Sequence, residues 1–141
     1  MRLGHTEDQE AIQEVFAGFF AKESPISVVR AAEPGGFNGA LWGRLCETGA
    51  PGMGVSESAG GGGASLVDLA IVAEELGRSI APVPLIDHQV AARLLAATGH
   101  NSAEVTEGGA IASLALRPAA NGRWSLVPAG ARRAPAGLQD Q

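Results

Sequence analysis

Hydrophobic residues near the N-terminus recur with the spacing of an amphipathic helix. Thr6 and Gln9 form a capping-box pattern at its start, and acidic residues fill the first turn, where the helix dipole favours negative charge. We expect this helix to begin after Thr6, to end before Pro25 and to present one apolar face. The residues of that face fall at i, i+3, i+4, i+7 and i+8: Ile12, Val15, Phe16, Phe19 and Phe20.

Four further helices are predicted, because each apolar stretch that follows has its own start or stop signal. Proline, asparagine or serine stands at most of the starts, and glycine stands at or near most of the ends. The expected bounds are Pro25 to about Ala32, Asn38 to Gly49, Ser65 to the Gly77-Arg78 break, and 85–98, with a glycine-rich connector at 49–63.

The helix that begins at Ser65 is apolar on most of its surface. A helix that is apolar on nearly all sides is expected to be central and buried. Near its C-terminal end, Glu74 is placed to pair with Arg78 at i, i+4 in the favourable order. One stripe consists of Leu66, Leu69, Ala70, Ala73 and Leu76, and the remaining apolar positions are Val67, Ile71 and Val72.

The pattern changes after residue 107. Residues 110–117 alternate like a strand, Asn121-Gly122 is a hairpin turn signal, and 123–127 would be the return strand. Two strands alone are marginal. The predicted fold is therefore mainly α: a bundle of about five helices over 1–107, then a short incomplete β segment and an irregular tail over 108–141.

Charge and composition narrow the function classes. The net charge is −5, which argues against a nucleic-acid binder, although residues 108–141 hold four arginines against one acid. The longest apolar run, 69–73, is far shorter than the ~20 residues that cross a bilayer, and the polar N-terminus is unlike a signal peptide. The single Cys46 forms no internal disulfide. These features predict a cytoplasmic protein that binds neither nucleic acid nor membrane.

No group of residues has the spacing of a catalytic or metal site. The three histidines, His5, His88 and His100, lack a second ligand at metal-binding distance in the sequence. Glu74 and Glu75 point in directions about 100° apart, so they do not form a paired-carboxylate site. Residues 59–65 lead into a helix N-terminus but lack the Lys and Thr of a phosphate-binding loop. We therefore expect no catalytic residue and no metal, with Cys46 a small core residue.

The order of motifs nevertheless resembles the N-terminal helical domain of acyl-CoA dehydrogenases. The matching features are Leu41-Trp42 in a helix, a Gly-x-x-Gly-x-Gly-Val turn from Gly49 to Glu57, the loop Gly60–Gly63, and Glu74 to Arg78. Ser56 stands where the family usually has proline. The Ala-Pro-Val-Pro sequence at 81–84 is typical of members with bulky substrates. The resemblance covers about residues 3–117.

The resemblance implies that different domains of the complete enzyme contribute different parts of the active site. In the complete, FAD-dependent enzyme this domain shapes the acyl-CoA pocket, while the middle and C-terminal domains supply the flavin contacts and the carboxylate base, and no motif of this sequence matches those parts. It places Pro82, Val83, Pro84, Leu85 and His88 on the pocket wall. It also implies a homo- or hetero-oligomer with dehydrogenase chains. We expect the isolated chain to be inactive and not to bind FAD alone.

Two alternatives stay open at this point. In the first, the chain is a non-catalytic helical interaction module, and the face that the other domains normally cover binds a partner dehydrogenase chain. This hypothesis predicts an exposed apolar face that is larger than those of ordinary monomers. In the second, the chain is a truncated remnant without function. Neither composition nor periodicity decides among these hypotheses.

Overall fold

The computed structural model describes residues 4–114, and these form a bundle of α-helices. Two short 3-10 turns, at Ala50–Gly52 and Glu57–Ala59, lie between the third and fourth helices. None of the helices within residues 4–114 is long and apolar enough to cross a membrane. The helices are α1 Glu7–Glu23, α2 Ile26–Ala32, α3 Gly39–Glu47, α4 Leu66–Arg78, α5 Leu85–Ala97 and α6 Ala103–Thr106.

The mainly helical fold is confirmed, and the predicted caps are present. Both bonds of the capping box form between Thr6 and Gln9 at α1, and again between Ser65 and Asp68 at α4. The Asn38 side chain accepts from the backbone N–H of Leu41 at the start of α3. The four-residue α6, capped by Ser102, was not predicted. Its length is close to one helical turn, too short for a periodic signal.

The core lies where α1, α3, α4 and the start of α5 meet. Phe20, Leu41 and Leu45 are fully buried there. One expected member of the α1 face is wrong: Val15 is 62% exposed, because the buried part of that helix is centred on Phe16 and Phe20. The core residues are Phe16, Phe20, Leu41, Trp42, Leu45, Ala50, Val72, Leu76, Ala81, Val83 and Leu85.

Helix α4 is buried on one side only, which corrects the expectation of a central helix. Its first turn projects from the bundle, and Leu66 and Val67 are 69% and 53% exposed. Ala70 is exposed as well. Two residues of the predicted stripe, Leu69 and Leu76, are buried, and the other buried positions of α4 are Ile71, Val72 and Glu75.

The first part of the glycine-rich connector is packed against the bundle. Positive φ angles occur further along it, at Gly60 and Gly63. Ala50 to Gly52 are buried, and Val55 is 1% exposed. Side chains of α5 hold this segment: Gln89 donates to the carbonyl of Ala50 at 2.9 Å, and Arg93 donates to that of Gly54 at 3.1 Å.

The expected strand at 110–117 falls only partly within the described residues. There, Ala112 forms an isolated β-bridge and its neighbours are bends or irregular. Residues 115–117, the turn at 121–122 and the return strand at 123–127 lie outside the described residues. The domain boundary at 107/108 stays a prediction, and residues 108–112 pack directly on the helical bundle.

Candidate functional site

An open groove of about 810 Å³ lies at one end of the bundle, where three separate chain segments meet. The first segment joins α2 to α3, the second joins α4 to α5, and the third runs from α6 to residue 111. Its volume lies within the range of small-molecule sites. The groove is lined by Gly36, Phe37, Ala81, Pro82, Val83, Pro84, Glu104, Gly109, Ala110 and Ile111.

The turn at 81–84 forms one wall and is fixed at both ends by backbone hydrogen bonds. The N–H of Ala81 donates to the carbonyl of Leu76 at 3.2 Å, which closes the end of α4. The N–H of Asn38 donates to the carbonyl of Pro82 at 2.9 Å and ties this wall to the start of α3. The prolines restrict φ and remove two donors, so the wall is stiff and apolar.

The opposite wall, from Glu104 to Ile111, is held by long-range contacts. The Trp42 indole N–H donates to the carbonyl of Gly108 at 2.9 Å. Gly108 has φ +82°, and a Cβ at this position would lie 2.6 Å from Cys46 Sγ and 2.9 Å from Pro51 Cγ. Only glycine fits the close approach of this wall to α3 and the connector.

His88 lies beneath the groove, fully buried, with both ring nitrogens engaged. Nε2 is 3.0 Å from the carbonyl oxygen of Val105, and Nδ1 accepts from the N–H of Ala112 at 3.1 Å. The ring also packs edge-on against Trp42, with 5.2 Å between centroids. Burial lowers the pKa of His88, and the bond to Val105 opposes that shift. The ring is thus a buried core histidine whose two nitrogens both have hydrogen-bond partners.

Three of the five residues expected on a pocket wall line this groove: Pro82, Val83 and Pro84. Leu85 and His88 are fully buried behind it and do not reach its surface. The sequence did not indicate Phe37, Glu104 or 109–111. Their positions depend on contacts between distant parts of the chain, for which local periodicity carries no signal.

The groove can hold an apolar group but offers little for acid–base chemistry. Glu104 is the one ionisable side chain among its described lining residues. Glu74 lies elsewhere, 54% exposed and paired with Arg78 as predicted. The Cys46 thiol contacts the carbonyl of Gly108, and burial raises its pKa, so it is a poor nucleophile. Within residues 4–114, no three His, Cys, Asp or Glu side chains are grouped to hold a metal ion.

Comparison with known proteins identifies a family to which this chain is similar. The profile described as "Acyl-CoA dehydrogenase, N-terminal domain" matches residues 6–104. The chain is 37% identical over 119 residues to the acyl-CoA dehydrogenase IpdE2 of Mycobacterium tuberculosis (strain ATCC 25618 / H37Rv), an alignment that covers 79% of this chain and 37% of the relative. The IpdE2 protein of Mycolicibacterium smegmatis (strain ATCC 700084 / mc(2)155) is 34% identical to this chain over 118 residues. That alignment covers 80% of this chain and 38% of the relative.

The chain therefore spans less than two fifths of the length of these curated relatives. No solved structure matches the chain significantly. The matched region 6–104 contains α1 to α5 and the turn that forms the first wall of the groove.

Proposed function

Because the chain belongs to the acyl-CoA dehydrogenase family and carries its N-terminal domain, we propose that its groove binds the acyl group of an acyl-CoA. The observation that carries this proposal is the apolar groove itself, with Phe37, Val83 and Ile111 among its lining residues. Each methylene that such a surface removes from water contributes about 0.8 kcal/mol.

The chemistry of the family, α,β-dehydrogenation of an acyl-CoA, would be completed by groups outside the described residues. Bound FAD supplies the hydride acceptor in such a reaction. The groove does not fit FAD, because its described lining has no cation to pair with a diphosphate and contains the carboxylate of Glu104. We infer that this chain shapes the acyl site and that, alone, it neither binds FAD nor dehydrogenates.

The proposal is tested by titrating the purified chain with octanoyl-CoA in a calorimeter, with free coenzyme A as the reference ligand. Phe37→Asp places a charge in the groove at a side chain that is already 45% exposed. Ile86→Asp is the matched control, since Ile86 is 44% exposed and does not line the groove. We expect Phe37→Asp to weaken octanoyl-CoA binding at least tenfold and Ile86→Asp to leave it unchanged. Equal binding of octanoyl-CoA and coenzyme A would overturn the proposal.

A second role, contact with another dehydrogenase chain, is favoured by a separate apolar surface. We call this surface the α4–α5 face. It surrounds a groove of about 260 Å³ and carries several exposed large side chains, an arrangement typical of interaction sites. We propose that it binds the helical part of a second dehydrogenase chain. The face consists of the residues that line this groove, six apolar and two polar: Leu66, Leu69, Ala70, Ala73, Ile86, Val90, Gln89 and Arg93.

A further inference from the structure

Residues 105–112 carry most of the opposite wall of the groove, and beyond Thr106 they have little secondary structure of their own. We call these residues the 105–112 wall. Helix α6 ends at Thr106, and the isolated bridge at Ala112 is the one β contact among the described residues beyond it. Three local hydrogen bonds link the residues beyond Thr106 to α6: Glu107 donates to Ala103, Gly108 donates to Val105 and Ala110 donates to Glu104. The position of the 105–112 wall over the groove must therefore be set by side chains of the bundle.

His88 makes contacts at both ends of this wall. Its Nε2 faces the carbonyl of Val105, and its Nδ1 accepts from Ala112, seven residues further along the chain. Trp42 binds the middle, at Gly108. We propose that His88 is a positioning residue of the acyl site, which sets the distance of the 105–112 wall from α5 and does so only in its neutral Nε2–H form. This inference rests on the proposed function, since it assigns that wall to an acyl groove.

The hydrogen-bond partners fix the tautomer. A backbone carbonyl only accepts, so Nε2 must donate to Val105; a backbone N–H only donates, so Nδ1 must be unprotonated toward Ala112. A second proton on the ring would sit on Nδ1, and this N–H would then face the backbone N–H of Ala112, so that two donors would oppose each other. Protonation therefore releases the C-terminal end of the wall and keeps the contact at Val105.

No charged group among the described residues is positioned to stabilise a protonated ring. The ionisable residues on the elements around it are Asp87 and Arg93 on α5, Cys46 on α3, and Glu104 and Glu107 at α6. Asp87, Glu104 and Glu107 are exposed, and Arg93 binds the connector. Cys46 contacts Gly108. None of these makes a hydrogen bond or ion pair with the imidazole.

The test measures hydrogen exchange of the ¹⁵N-labelled chain. His88→Phe keeps a ring beside Trp42 and removes both hydrogen bonds. We expect exchange at the Ala112 amide to become at least tenfold faster, while that of Ala92, buried within α5, stays within twofold. An unchanged Ala112 rate would overturn the proposal. Ile86→Phe, on the exposed side of the same helix, is the control and should alter neither rate.

A measurement on the unmodified chain keeps the proposal testable if His88→Phe fails to fold. Ring ¹⁵N shifts at pH 8 should show His88 protonated at Nε2 and unprotonated at Nδ1; the opposite tautomer would overturn the proposal. Octanoyl-CoA titrations separate the two inferences. Loss of affinity in His88→Phe supports the positioning role, whereas no binding by the unmodified chain overturns the acyl groove and leaves the exchange and tautomer results to decide about His88.

Discussion

Ile80 has a backbone conformation that favours glycine, with φ +48°, immediately after α4. The N–H of Ala81 donates to Leu76 and that of Ile80 to Gly77, a helix-ending motif in which glycine usually occupies this position. A β-branched residue there is strained, by roughly 1–2 kcal/mol. The side chain is 66% exposed, so packing recovers little of this cost.

We expect Ile80→Gly to stabilise the chain by about 1 kcal/mol, because it relieves this strain and removes little buried surface. Ile86→Gly is the control: it places glycine in the first turn of α5, where no strain is relieved, and should lower the stability. Urea unfolding followed by circular dichroism measures both. A loss of stability in Ile80→Gly equal to that in Ile86→Gly would contradict the strain argument.

The buried His88 makes the stability of the chain depend on pH. Because burial holds its folded-state pKa below the ordinary value of 6.5, the unfolded chain takes up a proton first as the pH falls. Stability is therefore full above pH 6.5 and declines below it, by at most about 1.4 kcal/mol per pH unit, until the folded-state pKa is reached. Denaturant midpoints between pH 8 and pH 5 test this, and the decline just below pH 6.5 should disappear in His88→Phe. Persistence of the same decline would exclude His88 as its cause.

At the level of single residues, helix caps could be predicted from the sequence, whereas the burial of His88 could not. Ser65 and Asp68 are neighbours in a local pattern, so their pairing follows from spacing alone. The burial of His88 depends on Val105 and Ala112, which lie 17 and 24 residues away. No local rule brings those backbone groups to the ring.

At the scale of elements, the contact between α1 and α4 combines apolar packing with one buried carboxylate. Glu75 is 6% exposed. Its Oε1 accepts from Gln13 Nε2 on α1 at 3.0 Å and lies 3.7 Å from Arg78 Nε. The neighbouring Glu74 is exposed and pairs only with Arg78 among the described residues. Two adjacent acids thus have different structural roles.

Glu75→Ala is expected to lower the free energy of unfolding by about 1–3 kcal/mol, since it leaves the amide of Gln13 without its partner. Glu74→Ala should change it by less than about 0.5 kcal/mol, because exposed ion pairs contribute little. Thermal or urea unfolding of both variants checks the difference. Similar small effects would mean that the Gln13–Glu75 bond does not stabilise the α1–α4 contact.

The bounds of the longer helices were the most predictable feature of the fold, because local start and stop signals flank each of these helices. The structure of the connector at 49–63 was not predicted from its sequence, and several of its glycines allow close packing. A Cβ on Gly54 would lie 2.6 Å from Leu69 Cδ1. Composition alone does not distinguish a glycine that permits motion from one that permits contact.

At the scale of the whole molecule, the α4–α5 face predicts association. Val90 is 50% exposed in its centre, and Leu66 is 69% exposed at its edge. Exposed apolar area of this kind favours contact with another chain. Exposed apolar residues such as Leu66 and Val67 also account for the wrong prediction that α4 is central, since periodicity does not distinguish a buried apolar position from an exposed one.

We expect the isolated chain to self-associate at high micromolar concentration through this face, and Val90→Glu to reduce that association. Val15→Glu is the control, because Val15 is 62% exposed on α1, away from the face. Sedimentation velocity measures the effect. A monomer at all concentrations, or equal effects of the two substitutions, would contradict the interaction role.

Amide shift mapping tests whether the groove binds the acyl group of an acyl-CoA. The ¹⁵N-labelled chain is titrated with octanoyl-CoA, and the shift of each backbone amide is followed. We predict that the largest changes fall at Gly36–Phe37, at Ala81 and Val83, and at 109–111, in the three segments that form the groove. Changes confined to the α4–α5 face, or none at saturating ligand, would contradict it.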